Sequence, residues 1–298
     1  MKSRAGFSQR HPFLFGFFLI IAAVALFMGA MAFFKFWLGD KAQAWGKTEL
    51  GVVQVEGMLS ESRDLVDWIQ ELSDDEDIKG VVLRINSPGG LIAPAQEVYQ
   101  AIERLGQKKP VVASMSTIAA SGGYYVACAA ESIIANPGSL TGSIGVKAQV
   151  PNFQELMRKL GVEQETIVSG DLKDAGSPTK EMTPKEREYF QEIVDELSGQ
   201  FIQVVAQSRD LELQEVQELA DGRAFTGTQA LDEGLVDELG GMQEAVRILR
   251  EKAQIKGQVH LRQGPEQKGG LLSWILSSSG LQDWLQQGSA QEQWIFRY

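Results

Sequence analysis

Apolar and polar positions follow three different rhythms along this chain. Residues 12–34 carry no charge and are dominated by Phe, Leu, Ile, Ala and Met. A helix needs about 20 apolar residues to span a bilayer, so the segment predicts a transmembrane anchor. Lys2, Arg4 and Arg10 precede it. Basic residues stay on the cytoplasmic side, which puts the chain beyond Trp37 outside the cytoplasm. The apolar core of a cleaved secretory signal is shorter, about 7–15 residues. Ala42-Gln43-Ala44 resembles a cleavage site, but the length of the apolar run argues for retention. Residues 1–37 are therefore expected to form the cytoplasmic N-terminus and anchor, and residues 38–48 a polar neck.

A second rhythm begins at residue 49. Short β-branched runs at 50–55, 80–85, 111–114 and 132–135 predict strands. Between them lie helical patterns at 62–72 and 93–105. In the second, Ala95, Val98, Ala101, Ile102 and Leu105 recur with a period near 3.6. Strand-helix alternation predicts an α/β domain with parallel βαβ units. Thr183-Pro184-Lys185-Glu186 reads as a capping box with proline at the first helical position. The helix behind it carries an apolar stripe of Tyr189, Ile193, Leu197, Phe201 and Val204, suited to packing on the core or on another subunit. Further helices are predicted at 212–219 and 242–252.

The third rhythm is a linker from Gly264 followed by Leu271, Trp274, Ile275, Leu281, Trp284 and Leu285 near helical spacing. This amphipathic tail, residues 264–298, suits packing on a subunit, an interfacial membrane helix, or a mobile end. Residues 49–263 make up the expected catalytic domain.

Composition narrows the function. The formal net charge of −11 argues against nucleic acid as a partner. One cysteine, Cys128, excludes an internal disulfide and any cysteine-rich metal site, and its apolar surroundings predict a buried thiol. No cofactor or metal is expected. The two histidines, His11 and His260, sit far from any chemistry-bearing motif, leaving a Ser-His-Asp triad without a base.

Another arrangement is available. A serine nucleophile needs a base within hydrogen-bond reach and donors fixed in advance for the oxyanion. Ser121 lies in AASGGYY (residues 119–125), where small neighbours let a substrate approach. The apolar run behind it predicts a helix that leaves N–H groups free beside the serine. INSPGG (residues 85–90) joins a strand to a helix, and its glycines can aim N–H groups at an oxyanion. Lysines offer the base: Lys173 in SGDLKD (residues 169–174), with Lys147 in GVKAQV a rival. A free lysine has a pKa of about 10.4, so the site has to make the neutral amine accessible. The flanking Asp171 and Asp174 would oppose that, so either their carboxylates point elsewhere or an alkaline optimum remains.

The ordered set INSPGG, AASGGYY, SIIANP, TGSIGV, SGDLKD, ADGRAFTG and GLVDELGG resembles the signal peptide peptidase A family in its short, single-repeat form. The resemblance covers roughly residues 50–252. It implies a Clp protease/crotonase-like spiral of ββα units behind an N-terminal transmembrane helix. It implies Ser121 as nucleophile, Lys173 as general base and Ser143 as the hydroxyl that orients the lysine. Gly90 and Gly122 correspond to the oxyanion donors. Leu91, Ile92 and Tyr124 are candidate substrate contacts by adjacency. The implied protein is a ring-shaped homo-oligomer of the bacterial inner membrane, with its catalytic domain outside the cytoplasm. It would degrade cleaved signal peptides and other apolar peptides, each serine meeting the lysine of a neighbouring chain. A related membrane protease with a protein substrate, and a crotonase-like acyl-CoA enzyme or scaffold, are the alternatives.

Overall fold

The computed structural model describes residues 21–31, 33, 48–265 and 296–297. The chain divides into two units, Met1–Lys47 and Thr48–Tyr298. In the first, residues 21–31 are helical and exposed. Among the described residues no helix is long and apolar enough to cross a membrane. Much of the expected anchor, 12–34, lies outside the described residues, as do the neck up to residue 47 and most of the C-terminal tail.

The second unit is a mixed α/β domain built on a largely parallel sheet. Its first strands are β1 (Thr48–Glu56), β2 (Ile78–Ser87) and β3 (Val111–Ala120). They pair side by side and all parallel, with β9 (Val259–Gly264) parallel on the outer edge of β1. Parallel neighbours need crossovers, here α1 (Arg63–Asp74) and α2 (Ile92–Gly106). Ala95, Val98, Ala101, Ile102 and Leu105 are all buried, as the spacing in α2 requires. The strands are apolar on both faces, as covered parallel strands are. Val81, Leu83, Val111 and Ala113 enter the main core, while Leu50, Val82, Val112 and Ile134 pack under Ala245 and Leu249 of α8 (Met242–Lys252).

The far half of β3 departs from this regularity. Residues 112–114 pair with β4 (Ser132–Ala135), but residues 118–120 pair with β5 (Leu140–Gly142). On its other edge the register against β2 slips, from Ile85↔Met115 to Ser87↔Ala119. Extra residues in one strand, here two in β3, bend it and re-aim the residues beyond the bend. Here the bend delivers Ala119, Ala120 and then Ser121 beside the end of β2. β5 also pairs antiparallel with β7 (Ala224–Thr226), and β4 pairs with β8 (Glu238–Leu239).

Ser121 is followed at once by α3 (Gly122–Ala127), buried along its whole length. Cys128, just beyond, is buried as expected, and burial raises its thiol pKa to about 11. The long helix α5 (Pro184–Arg209) starts at the anticipated capping box, with both reciprocal bonds present. Its buried side follows the expected stripe only in part. Phe201 is fully buried against the Tyr125 ring at 5.2 Å, whereas Tyr189 is exposed and Ile193, Leu197 and Val204 are half-covered. The short elements α4 (Gln154–Lys159), α6 (Leu213–Leu219) and α7 (Gly227–Asp232) complete the helices. The terminal pair β10 (Phe296–Arg297) lies antiparallel to β6 (Lys147–Ala148).

Phe201 ties α5 to the segment behind Ser121. Phe201→Ala should therefore lower the unfolding free energy by about 3–5 kcal/mol. Chemical denaturation of the protein would measure this, and a loss below about 1 kcal/mol would show that α5 is not anchored there.

Candidate active site

Two backbone segments meet where β2 and β3 end. The turn after β2 (Ser87 to Gly90) is braced by the Ser87 hydroxyl, which donates to the Gly57 carbonyl at 2.6 Å and accepts from the Gly89 N–H at 3.1 Å. Leu59 lies alongside, donating to the Gly89 carbonyl at 2.9 Å and accepting from the Leu91 N–H at 2.7 Å. Side chains have no room here. A Cβ on Gly90 would fall 2.2 Å from the Leu59 carbonyl oxygen. A Cβ on Gly89, whose φ is +98°, would fall 2.6 Å from the Gly122 nitrogen. The SPGG backbone thus lies directly on that of Ser121-Gly122.

This contact sets the donors. Leu59 uses the Gly89 carbonyl and the Leu91 N–H, which leaves the Gly90 N–H unengaged among the described residues. Gly122 opens α3, where a helix leaves its first N–H groups unpaired. A Cβ on Gly122 would sit 3.3 Å from the Gly90 nitrogen, so the two peptide groups are neighbours. Two adjacent free donors beside a serine are what a developing oxyanion requires.

Ser121 itself has φ 55° and ψ −123°, a conformation that costs a non-glycine residue roughly 1–3 kcal/mol. Its carbonyl accepts from the Tyr125 N–H at 2.9 Å, and its N–H donates to Gly142 at 2.8 Å. Its hydroxyl does not cap α3. Instead Ser121 lines a cleft of about 520 Å³ together with Gly89, Gly90, Ser143, Met58, Lys147 and Ser198. Ser143 is the second serine of the cleft with positive φ, at 51°. Its N–H donates to the Arg223 carbonyl at 2.8 Å. Arg223 in turn grips Asp221 through both carboxylate oxygens, which stiffens the loop behind Ser143 and holds the Asp221 carboxyl at about 2.

Lys173 lies elsewhere. It lines a separate cavity of about 350 Å³ with Phe153, Gln164, Asp174 and Pro178, and it is exposed. It forms no ion pair among the described residues. The flanking carboxylates are engaged by other lysines. Lys185 holds Asp171 at 2.9 Å, and Lys180 holds Asp174 at 3.2 Å. One chain therefore brings Ser121, Ser143, Gly90 and Gly122 together with Lys147, but not with Lys173.

The adjacency-based substrate contacts fare differently. Tyr124 is fully buried, its hydroxyl donating to the Leu235 carbonyl at 2.9 Å, so its ring belongs to the core. Burial raises its phenol well above the usual value. Ile92 is buried on α2, and Leu91 is half-exposed at its start. Sequence reasoning missed the Ser87 brace and Met58. Ser87 lies inside the INSPGG motif, where its hydroxyl was a visible signal; Met58 carries none.

A serine in a strained strand-to-helix turn, flanked by free peptide donors, defines a serine-hydrolase type of centre. The Peptidase family S49 model matches residues 103–256, and the Clp protease model matches residues 54–140, in keeping with the parallel-rich sheet. A Synechocystis protein named provisionally as a protease is 40% identical over 200 residues, 67% of this chain and 72% of the relative. An Enterococcus faecium protein, named provisionally as signal peptide peptidase SppA, is 34% identical over 208 residues, 70% of this chain and 60% of the relative. The chloroplastic serine protease SPPA of Arabidopsis thaliana is 33% identical over 224 residues, 70% of this chain but 33% of that longer protein. The chain belongs to peptidase family S49, the signal peptide peptidase A family of serine proteases.

The backbone strain at Ser121 has a measurable consequence. Ser121→Gly relieves it, whereas Ser121→Ala retains it. The glycine variant should be more stable than the alanine variant by about 1 kcal/mol, with both inactive. Equal melting temperatures would show that the turn is not strained.

Proposed function

We propose that this protein is a membrane-anchored, extracytoplasmic endopeptidase that degrades cleaved signal peptides, with Ser121 as nucleophile and Lys173 of a neighbouring copy as general base. One observation carries the reading: Ser121 sits in a built cleft with two free donors, while Lys173 sits on a segment that none of the described residues covers. Residues 151–173 are all exposed except the half-exposed Met157. The six-residue helix α4 within them buries no side chain. Phe153, Leu156, Leu160, Val162 and Ile167 are all open to solvent, Ile167 at 93%. Such a short helix is not stable by itself and needs a surface to pack on. A second copy of the chain supplies one, and docking there would carry Lys173 to the next Ser121.

In this mechanism the neutral Lys173 amine takes the Ser121 proton as the hydroxyl attacks the peptide carbonyl. The Gly90 and Gly122 N–H groups hold the oxyanion. The lysine ammonium then protonates the departing amine, leaving an acyl-enzyme, and the lysine activates the water that hydrolyses it. Ser143 orients the amine. The apolar run 12–34, with basic residues before it, supports a single-pass anchor in the bacterial inner membrane, with residues 49–263 outside the cytoplasm. An apolar peptide left in the membrane would reach such a site directly. A protein substrate at the membrane is the competing use of the same site.

A second reading comes from Lys147, which lines the Ser121 cleft of its own chain. The test mixes inactive chains. Co-expressed Ser121→Ala and Lys173→Ala chains should recover about a quarter of wild-type activity, one half times one half, when serine and lysine come from different copies. No recovery would sink the shared site. A dead Lys147→Ala together with an active Lys173→Ala would put the base in the same chain. Purified enzyme should also cleave a synthetic signal peptide faster than an intact membrane protein, and the reverse order would select the competing substrate.

A further inference from the structure

The segment carrying Lys173 is held by a chain of ion pairs that begins at the N-terminus of α5. The Glu186 side chain is 3% exposed, yet it bears a carboxylate. It accepts from the Thr183 N–H at 2.9 Å as half of the capping box, and from the Lys180 ammonium at 2.7 Å. Lys180 reaches onward to Asp174 at 3.2 Å. Beside this chain, Lys185 on the first turn of α5 holds Asp171. Both carboxylates that flank Lys173 in sequence are thereby turned onto other lysines. In the cavity that Lys173 lines, Asp174 is the one other charged residue.

We propose that Lys180 and Lys185 are positioning residues that keep Asp174 and Asp171 off the Lys173 amine, with Glu186 as the buried anchor for Lys180. The proposal rests on the reading of Lys173 as general base. A carboxylate beside that amine stabilises the ammonium, the form that cannot accept the serine proton. Leaving Asp174 and Asp171 free would therefore oppose catalysis, and two dedicated lysines remove both. The geometry agrees with the charge states. Glu186 raises the Lys180 pKa, with a further contribution from Asp174 against the opposing effect of burial, so Lys180 stays cationic in the working range. Burial alone would raise the Glu186 carboxyl, but Lys180 and the Thr183 N–H outweigh it and hold it below its usual value. Lys185 lowers the Asp171 carboxyl, so it too stays charged.

The test reads the pH profile of kcat/KM on the full-length protein in detergent with a fluorogenic apolar peptide. Lys180→Met frees Asp174, and the acidic limb should move to higher pH by about one unit. The sign comes from the base: a stabilised ammonium needs a higher pH to lose its proton. Lys180→Met combined with Asp174→Asn should return the limb to its wild-type position, and Lys180→Arg should never leave it. An unshifted limb in Lys180→Met, or a shift that persists in the double variant, overturns the proposal. Lys180→Met also strips the buried Glu186 of its cation, so a second pair guards against misfolding. Lys185→Met acts on an exposed ion pair and should give a smaller alkaline shift, reversed by Asp171→Asn. If Lys180→Met does not fold, an unshifted Lys185→Met limb overturns the proposal. A wild-type rate in Lys173→Ala overturns the base assignment and this proposal with it. A dead Lys173→Ala beside an unshifted Lys180→Met limb overturns the positioning role alone.

Discussion

The contact between two glycine-bearing backbones governs this domain. SPGG and Ser121-Gly122 approach so closely that a Cβ added at Gly89 would meet the Gly122 nitrogen at 2.6 Å. The slipped register of β3 on β2, its handover from β4 to β5 and the positive φ of Ser121 all serve this approach. Donors fixed by strands cost no reorganisation when charge develops, which is why an oxyanion site belongs on such a contact and not on a free loop. The strain at Ser121 persists because a fully buried helix on one side and a paired strand on the other over-determine it.

The lysine segment obeys the opposite logic. Nothing in residues 151–173 is fully buried, and its short helix has no partner surface among the described residues. What order it has comes from its base, where the Phe153 N–H donates to the Pro178 carbonyl at 2.6 Å and the ion pairs from α5 fix Asp174 and Asp171. Exposed ion pairs contribute little stability. On the proposed reading, their value lies in which charges they remove from around Lys173.

Much of this was legible in the chain. The parallel strands, the periodic face of α2, the capping box at Thr183 and the buried Cys128 each arise from a local pattern. So did the need to turn Asp171 and Asp174 away, since a lysine base between two carboxylates is a visible contradiction. Tyr124 was misjudged because adjacency to a nucleophile says nothing of direction: α3 dives into the core and takes its ring along. The partial failure of the α5 stripe has a related cause. Spacing identifies an apolar face but not what covers it, and Tyr189 stays exposed, with its ring against the neighbouring Phe190 at 5.3 Å. The links from Lys180 to Glu186 and Asp174 were invisible because they are set by a turn, not by a period.

The separation of Ser121 from Lys173 also fixes how the two lysines near the chemistry should be weighed. Lys147 shares the cleft with Ser121 and pairs through its backbone with Arg297, so it has proximity within one chain. Lys173 has no such proximity, but it has a cleared electrostatic setting: two flanking carboxylates, each held by a dedicated cation, one of these anchored on a buried glutamate. Proximity can be supplied by docking a second copy, whereas removal of nearby charge has to be built into the chain that carries the base. An amine that must be neutral to act gains from both provisions, and on the proposed reading docking a second copy gives Lys173 the one it lacks.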